Sequence, residues 1–407
     1  MAAGPFGFAR LGCTEPGLSA DSHIYPCLRS YAGGIIGAGR QSAAWGGDAE
    51  RMQDRLNQND VTNRVNVEKP TQVRDAILRL YGARYPGADF GVLERAFEDF
   101  HALFAGRYPG YLRCDTLYHD MRHTLDMTLA MARLIDGHDR SCAPSDRLGP
   151  RRAAMGILIA LLHDSGYLKR SSEAQVQNGA IFTKVHVSRS ADFIAAYLPK
   201  VGFAAEAPLA ARLVHFTGYE MQLEDIRVAD PRDRMVGCMV GTADLIGQMS
   251  DRMYLEKVRE FLYDEFVWGK IAREQLADGR EIVRYSSPDD LIIKTPGFYE
   301  YVARTRIAKK LAAADRYAES HFDGPNLYHS EIERNMEFLR ETIETANLGR
   351  LRRHCYSLSS EQSSAAWRDV AGSGHLLAPR NHGKSYGDEP DRQEPALGDA
   401  GAGTPAR

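Results

Sequence analysis

Apolar residues recur along the middle of the chain at helical spacing. In "PTQVRDAILRLYG", Val73, Ile77 and the pair Leu80/Tyr81 fall on one face, and Gly82 reads as the stop. "VLERAFEDFHALFAG" places Leu93, Phe97, Phe100 and Phe104 together and ends at Gly106. "SRSADFIAAYLP" reads as a short helix closed by Pro199, and "PLAARLVHFTG" as another ended by Gly218. In "SSPDDLIIK", Ser287 caps a helix whose first position is Pro288. Thr295 and Pro296 then open "GFYEYVARTRIAKKLAAADRYAESHF". "SEIERNMEFLRETIETANLG" carries a capping box, Ser330 with Glu333, and turns Ile332, Met336, Leu339 and Ile343 inward before Gly349. No run alternates as strands do, and no segment repeats. The pattern predicts an all-α helical bundle over residues 68–349.

Length alone would allow two domains, since the chain has 407 residues. The distribution of residue types narrows this. Gly, Ala and Ser dominate the first sixty or so positions, and Gly, Pro, Ser and charge dominate 350–407, without sustained periodicity in either. The expectation is a disordered or loosely attached segment over 1–67, one helical domain over 68–349, and a disordered tail over 350–407. A net charge of -3 leaves no general basic footprint, which disfavours bulk nucleic acid as a partner. Six cysteines without a CxxC pair suit a reducing compartment and argue against a zinc knuckle. No apolar run reaches about 18 residues, and no basic start leads into an apolar stretch. No membrane association is expected, and the cytoplasm is the expected location.

Charge breaks the apolar pattern at two places. "AAMGILIALLHDSGYLKR" runs through ten small or apolar residues and then delivers His163 and Asp164 side by side. An uncompensated buried carboxylate costs several kcal/mol or takes up a proton. "MVGCMVGTADLIGQM" is uncharged except for Asp244. A third feature is "YHDMRHTLDMTLAMARLI", which puts His119 and His123 at i and i+4, one above the other if both are helical. Each feature has an ordinary reading: a surface accident for the histidine pair, a helix-capping His–Asp bond, an aspartate bonded to a helix end or an arginine. A divalent cation shared by His123, His163, Asp164 and Asp244 answers all three demands at once, in a mixed nitrogen and oxygen site.

His…His-Asp…Asp on separate helices of an all-α protein resembles the HD superfamily of metal-dependent phosphohydrolases. "YHDMRH" and "TADLIGQMSDRMYLEK" lean toward its cyclic-nucleotide phosphodiesterase branch. The resemblance covers about 118–265. It implies that His123, His163, Asp164 and Asp244 ligate a first metal and that Asp164 also reaches a second. It implies that His119 is the general acid that protonates the leaving oxygen. His186, after a polar loop, and His215, at the end of "APLAARLVHF", fit the second-metal positions; a satisfied helix-end histidine is the plain alternative for each. The implied cofactors are two divalent ions, of manganese, magnesium, iron or zinc. The implied reaction is hydrolysis of a nucleotide-like small-molecule phosphate ester by a hydroxide that the ions hold. The chain departs from the animal-type branch at Tyr167 in "HDSGY", where another histidine is expected. Bacterial relatives that open cyclic dinucleotides have a lysine near this position and a signature loop downstream; neither is present in the expected form, although Lys169 and Arg170 lie close.

Two other functions stay open at this level. One is a nucleotidase or dNTP triphosphohydrolase of the same superfamily, which often does without an acid at His119. The other is a helical scaffold or sensor that keeps the metal cage and cleaves nothing. The isolated His101, His138, His321 and His329 read as structural, and "RIAKK" reads as a solvated helix face. Nothing in the sequence sets the oligomeric state.

Overall fold

The computed structural model describes residues 55–353. The chain order is α1 (Pro70–Arg84), α2 (Gly91–Phe104), α3 (Met121–Ser141), α4 (Gly149–Leu162), α5 (His186–Tyr197), α6 (Ala207–Leu213) and α7 (Pro231–Ser250). Then come α8 (Tyr254–Lys257) and α9 (Tyr263–Trp268), joined by a π-helical turn, and a hairpin of β1 (Arg273–Gln275) and β2 (Glu281–Val283). The chain closes with α10 (Pro288–Gly297), α11 (Arg304–Lys310), α12 (Tyr317–Phe322) and α13 (Leu327–Glu344). The fold is all-α, as the periodicity predicts. The hairpin is the one departure among the described residues, and its strands are three residues long, too short to show as alternation.

α3 organises the molecule. Its residues from Arg122 to Asp139 are buried on every side, with α1, α4, α7 and α12 packed around it. A helix in that position cannot leave its polar side chains unmet. Arg122 pairs with Glu68 and Asp251, Arg133 with Asp60, His138 with Asp139, and Asp136 with Arg84 and His321. α4 is buried from Ala153 to Leu162 and brings no charge into the core until its end. α7 crosses α3 at Gly247, where a Cβ would lie 3.1 Å from the Met127 Cα, so any larger residue would push the two backbones apart by a few tenths of an ångström.

Several expected boundaries move. Residues 55–67 belong to the core: Val67 is fully buried, Asp60 receives the backbone N–H groups of Arg64 and Val65, and Arg55 reaches Glu331 at 2.8 Å. Their anchors are charges paired across the molecule, which a search for apolar periodicity does not detect. At the other end Leu351 is buried and Arg353 pairs with Glu256 at 3.1 Å, so the domain runs past 350. The remainder of both expected tails, 1–54 and 354–407, lies outside the described residues. α1 continues through Gly82 to Arg84. Asn326, not Ser330, caps α13, and Glu333 instead accepts from the Tyr299 hydroxyl. The stretch read as one helix after Pro296 breaks at Leu311, Ala312 and Ala313, the last two at positive φ, and Pro296 lies inside α10.

Candidate metal centre

Four segments meet at one buried point. α3 supplies His123 from its first turn, the end of α4 supplies His163, the turn that follows supplies Asp164, and the middle of α7 supplies Asp244. His163 Nε2 lies 3.1 Å from Asp164 Oδ2, and His123 Nε2 lies 3.3 Å from the same oxygen. Asp244 Oδ1 is 3.3 Å from His123 Nε2 and 3.7 Å from His163 Nε2. Adjacent helical side chains diverge by about 100°, yet His163 and Asp164 converge. The chain leaves the helix at Asp164, whose φ of -102° and ψ of 9° swing its carboxylate back toward the imidazole.

The donor set fits a divalent cation. His123, His163 and Asp164 each offer a ligand atom within 4.8 Å of the others, and all three residues are buried. His163 Nε2 and Asp164 Oδ2 have no hydrogen-bond partner although water does not reach them. His163 donates from Nδ1 to the Ala160 carbonyl at 2.9 Å, which leaves the Nε2 lone pair facing the cluster. His186 does the same through Thr183 at 2.7 Å, and its Nε2 comes to 3.9 Å from Asp164 Oδ1. Backbone carbonyls that fix imidazole tautomers are the usual outer support of metal-binding histidines. Burial disfavours a charged His123 ring, but the Asp164 and Asp244 carboxylates outweigh it and push its pKa up to about 10. Burial would likewise raise the Asp164 pKa, and His163 and His123 hold it well below the usual carboxylate range. The cluster therefore demands positive charge, which protons or a cation can supply.

His119 stands beside this group in a different way from the sequence expectation. It precedes α3 and is not stacked on a helix face below His123. Asp120 caps α3 by accepting from the His123 N–H at 3.0 Å, so the helix does not extend back to His119. The two rings still approach to 5.8 Å between centroids. His119 Nδ1 lies 2.5 Å from Glu265 Oε2, and Glu265 Oε1 also accepts from the Tyr118 N–H at 2.6 Å. The ring stacks on Tyr167 at 4.4 Å, and Tyr167 stacks on His186 at the same distance. Tyr167 thus fills the place of the expected histidine as a spacer between His119 and His186. Gly166 makes this possible: a Cβ there would collide with the His186 carbonyl oxygen. Lys169 turns away and pairs with Asp115 at 2.6 Å.

His215 makes no ion pair or ring contact with the cluster. Burial lowers its pKa, and its buried Nδ1 has no partner. His138, His321 and His329 each bond an aspartate away from the site, at Asp139, Asp136 and Asp315. The sequence reading missed Glu265 and Gln248. Gln248 reaches Asp244 through Nε2 and accepts from the Tyr118 hydroxyl at 3.0 Å. Glu265 lies on a short helix, distant in sequence from His119, and no local pattern marks it. Compared with protein-family models, curated proteins and solved structures, the chain matches none.

Proposed function

We propose that this protein is a metal-dependent phosphohydrolase that cleaves a phosphodiester or other phosphate ester of a nucleotide-like small molecule. The observation that carries the reading is the buried cluster of His123, His163 and Asp164, whose ligand atoms lie within 4.8 Å of one another, two of them without a hydrogen-bond partner. His123, His163, Asp164 and Asp244 would hold a first divalent ion, and Asp164 with His186 would hold a second. Such an ion supplies Lewis acidity and brings the ionisation of a coordinated water toward neutral pH.

The remaining chemistry belongs to the side chains. Glu265 occupies His119 Nδ1, so the ring presents Nε2 to a bound ester. A carboxylate on one nitrogen fixes the plane of the ring, as a proton donor to a leaving oxygen requires. Tyr167 holds that plane from the other side by stacking. The His119–Glu265 pair favours an esterase-type acid over a nucleotidase that lacks one.

Metal analysis of the purified full chain, followed by hydrolysis assays with added manganese, magnesium, iron or zinc, tests the reading. The panel is cyclic mononucleotides, cyclic dinucleotides, dNTPs and bis(p-nitrophenyl) phosphate. Bound metal with turnover of an ester is the expected result. Metal retained with no cleavage of any substrate replaces the enzyme with a metal-holding scaffold.

A further inference from the structure

A cavity of about 160 Å³ opens beside the cluster, with His119, His186 and Asp244 in its wall. It is an order of magnitude above the roughly 10–15 Å³ that one water needs, so it has room for a ring-sized group. Much of the lining comes from residues 254–298 and is largely apolar, with Phe266, Ile271, Leu291 and Phe298 among its members. Two features of this wall define what it accepts.

The first is charge. Among the described residues, Lys184 and Lys294 are the only lysines or arginines in the lining, against the carboxylates of Glu220 and Asp244. Both lysines are already engaged. Lys184 pairs with Glu274, and Lys294 pairs with Asp290 at 3.0 Å and donates to the Arg284 carbonyl at 2.9 Å. Arg306, close behind Tyr219, donates to the carbonyls of Phe216 and Gly218. A polyphosphate or second phosphate entering this space would meet apolar surface and no unengaged cation, at the cost of desolvating its charge.

The second is a pair of tyrosines. Tyr254 and Tyr285 are 3 % and 6 % exposed, they line the cavity, and neither hydroxyl makes a hydrogen bond within the protein. A tyrosine hydroxyl inside a fold ordinarily finds a protein partner, so these two are free to bond a group held in the cavity. Phe266 stacks behind Tyr285 at 5.8 Å and fixes its ring. These are two hydrogen-bonding groups without protein partners on a largely apolar wall.

We infer that the substrate carries a single phosphoryl group, at the cluster, and an uncharged hydrogen-bonding ring in the cavity, read by the hydroxyls of Tyr254 and Tyr285. Nucleoside triphosphates and dinucleotides are excluded from this mode by the lack of cations. The inference rests on the phosphohydrolase reading for the place of the phosphate.

The test is binding to the manganese-loaded full chain by calorimetry. The probes are methyl phosphate, the four ribonucleoside 5′-monophosphates and the matching triphosphates. At least one monophosphate should bind about tenfold or more tighter than methyl phosphate, with its triphosphate no tighter than itself. Tyr254→Phe and Tyr285→Phe remove only hydroxyls without protein partners, so both variants should fold. In each, the ratio of monophosphate to methyl phosphate affinity should fall about three- to tenfold, the range for one neutral hydrogen bond. Equal affinity for all monophosphates and methyl phosphate, a tighter triphosphate, or a ratio untouched by both substitutions overturns the inference. Hydrolysis of methyl p-nitrophenyl phosphate is followed in parallel. No hydrolysis with the affinity ratio intact removes the enzymatic reading and leaves the inference standing; hydrolysis with the ratio lost does the reverse.

Discussion

Asp164 occupies the point where the constraints on single residues converge. Its Oδ2 faces two imidazoles, its Oδ1 faces a third, and its neighbour His163 closes the helix. Asp164→Ala should therefore empty the centre of metal and abolish hydrolysis, as read by metal content and turnover of bis(p-nitrophenyl) phosphate. Full metal occupancy with wild-type turnover in that variant would remove the phosphohydrolase reading. His119 should behave differently, because Glu265 and Tyr167, not the cluster, hold it. His119→Asn should keep metal while turnover falls roughly 10²–10⁴-fold for a ribose hydroxyl leaving group. The loss should be smallest for p-nitrophenyl esters, whose leaving group hardly needs a proton. If the metal leaves with the histidine, His119 is a ligand. If turnover is unchanged on every substrate, the phosphodiesterase branch gives way to the nucleotidase alternative.

At the scale of elements, close contacts decide whether these side chains meet. The turn after α4 touches the start of α5 through Gly166, which donates to Ser190 Oγ at 2.8 Å and accepts from Arg189 Nε at 2.8 Å. Gly166→Ala must push His186 away, and should lower the melting temperature while weakening metal retention, at a cost of at least about 2 kcal/mol. Chemical denaturation and metal titration of the variant check this; a silent substitution would mean that α5 does not position His186. The segment before α1 is held by Asp60 on Arg133. Burial acts to raise the Asp60 pKa, but Arg133, the Val65 N–H and Thr62 hold it down at about 2. A carboxylate lowered from 3.8 contributes stability that is full above pH 4 and is lost as pH falls toward 2. The contribution is roughly 2.5 kcal/mol. Asp60→Asn should lose that part of the acid dependence in urea melts between pH 5 and 2; an unchanged slope would show that the pair is not linked to folding.

For the whole molecule, the 55–67 segment and Arg353 clasp α3, α7, α8 and α13 through paired charges. Arg55 joins Glu331 and the Ser250 carbonyl, and Arg353 joins Glu256. A chain starting at 55 and ending at 353 should melt cooperatively and close to the full-length temperature, because neither removed segment offers a periodic apolar face. A chain starting at 68 takes Asp60 from the buried Arg133 and Arg55 from the buried Glu331, and should lose about 3–5 kcal/mol. Thermal melts of the two truncations separate the outcomes; equal stability would place the boundary back at 68.

The sequence by itself determined the helical class and the residues that do not suit a core. Helical periodicity is local, and so is the anomaly of a charge in an apolar run, which is why His163, Asp164 and Asp244 were legible one at a time. The i,i+4 spacing of His119 and His123 was legible too, but its meaning changed, because a cap at Asp120 ends the helix between them. Tertiary structure alone decided which side chains face one another. Glu265 on His119, Tyr167 between two histidines, Asp60 on Arg133 and the two tyrosines of the cavity are pairings across long stretches of chain. Their members carry no shared local pattern, and only the packing of distant segments, among them α3, α5, α9 and the stretch before α1, brings them together.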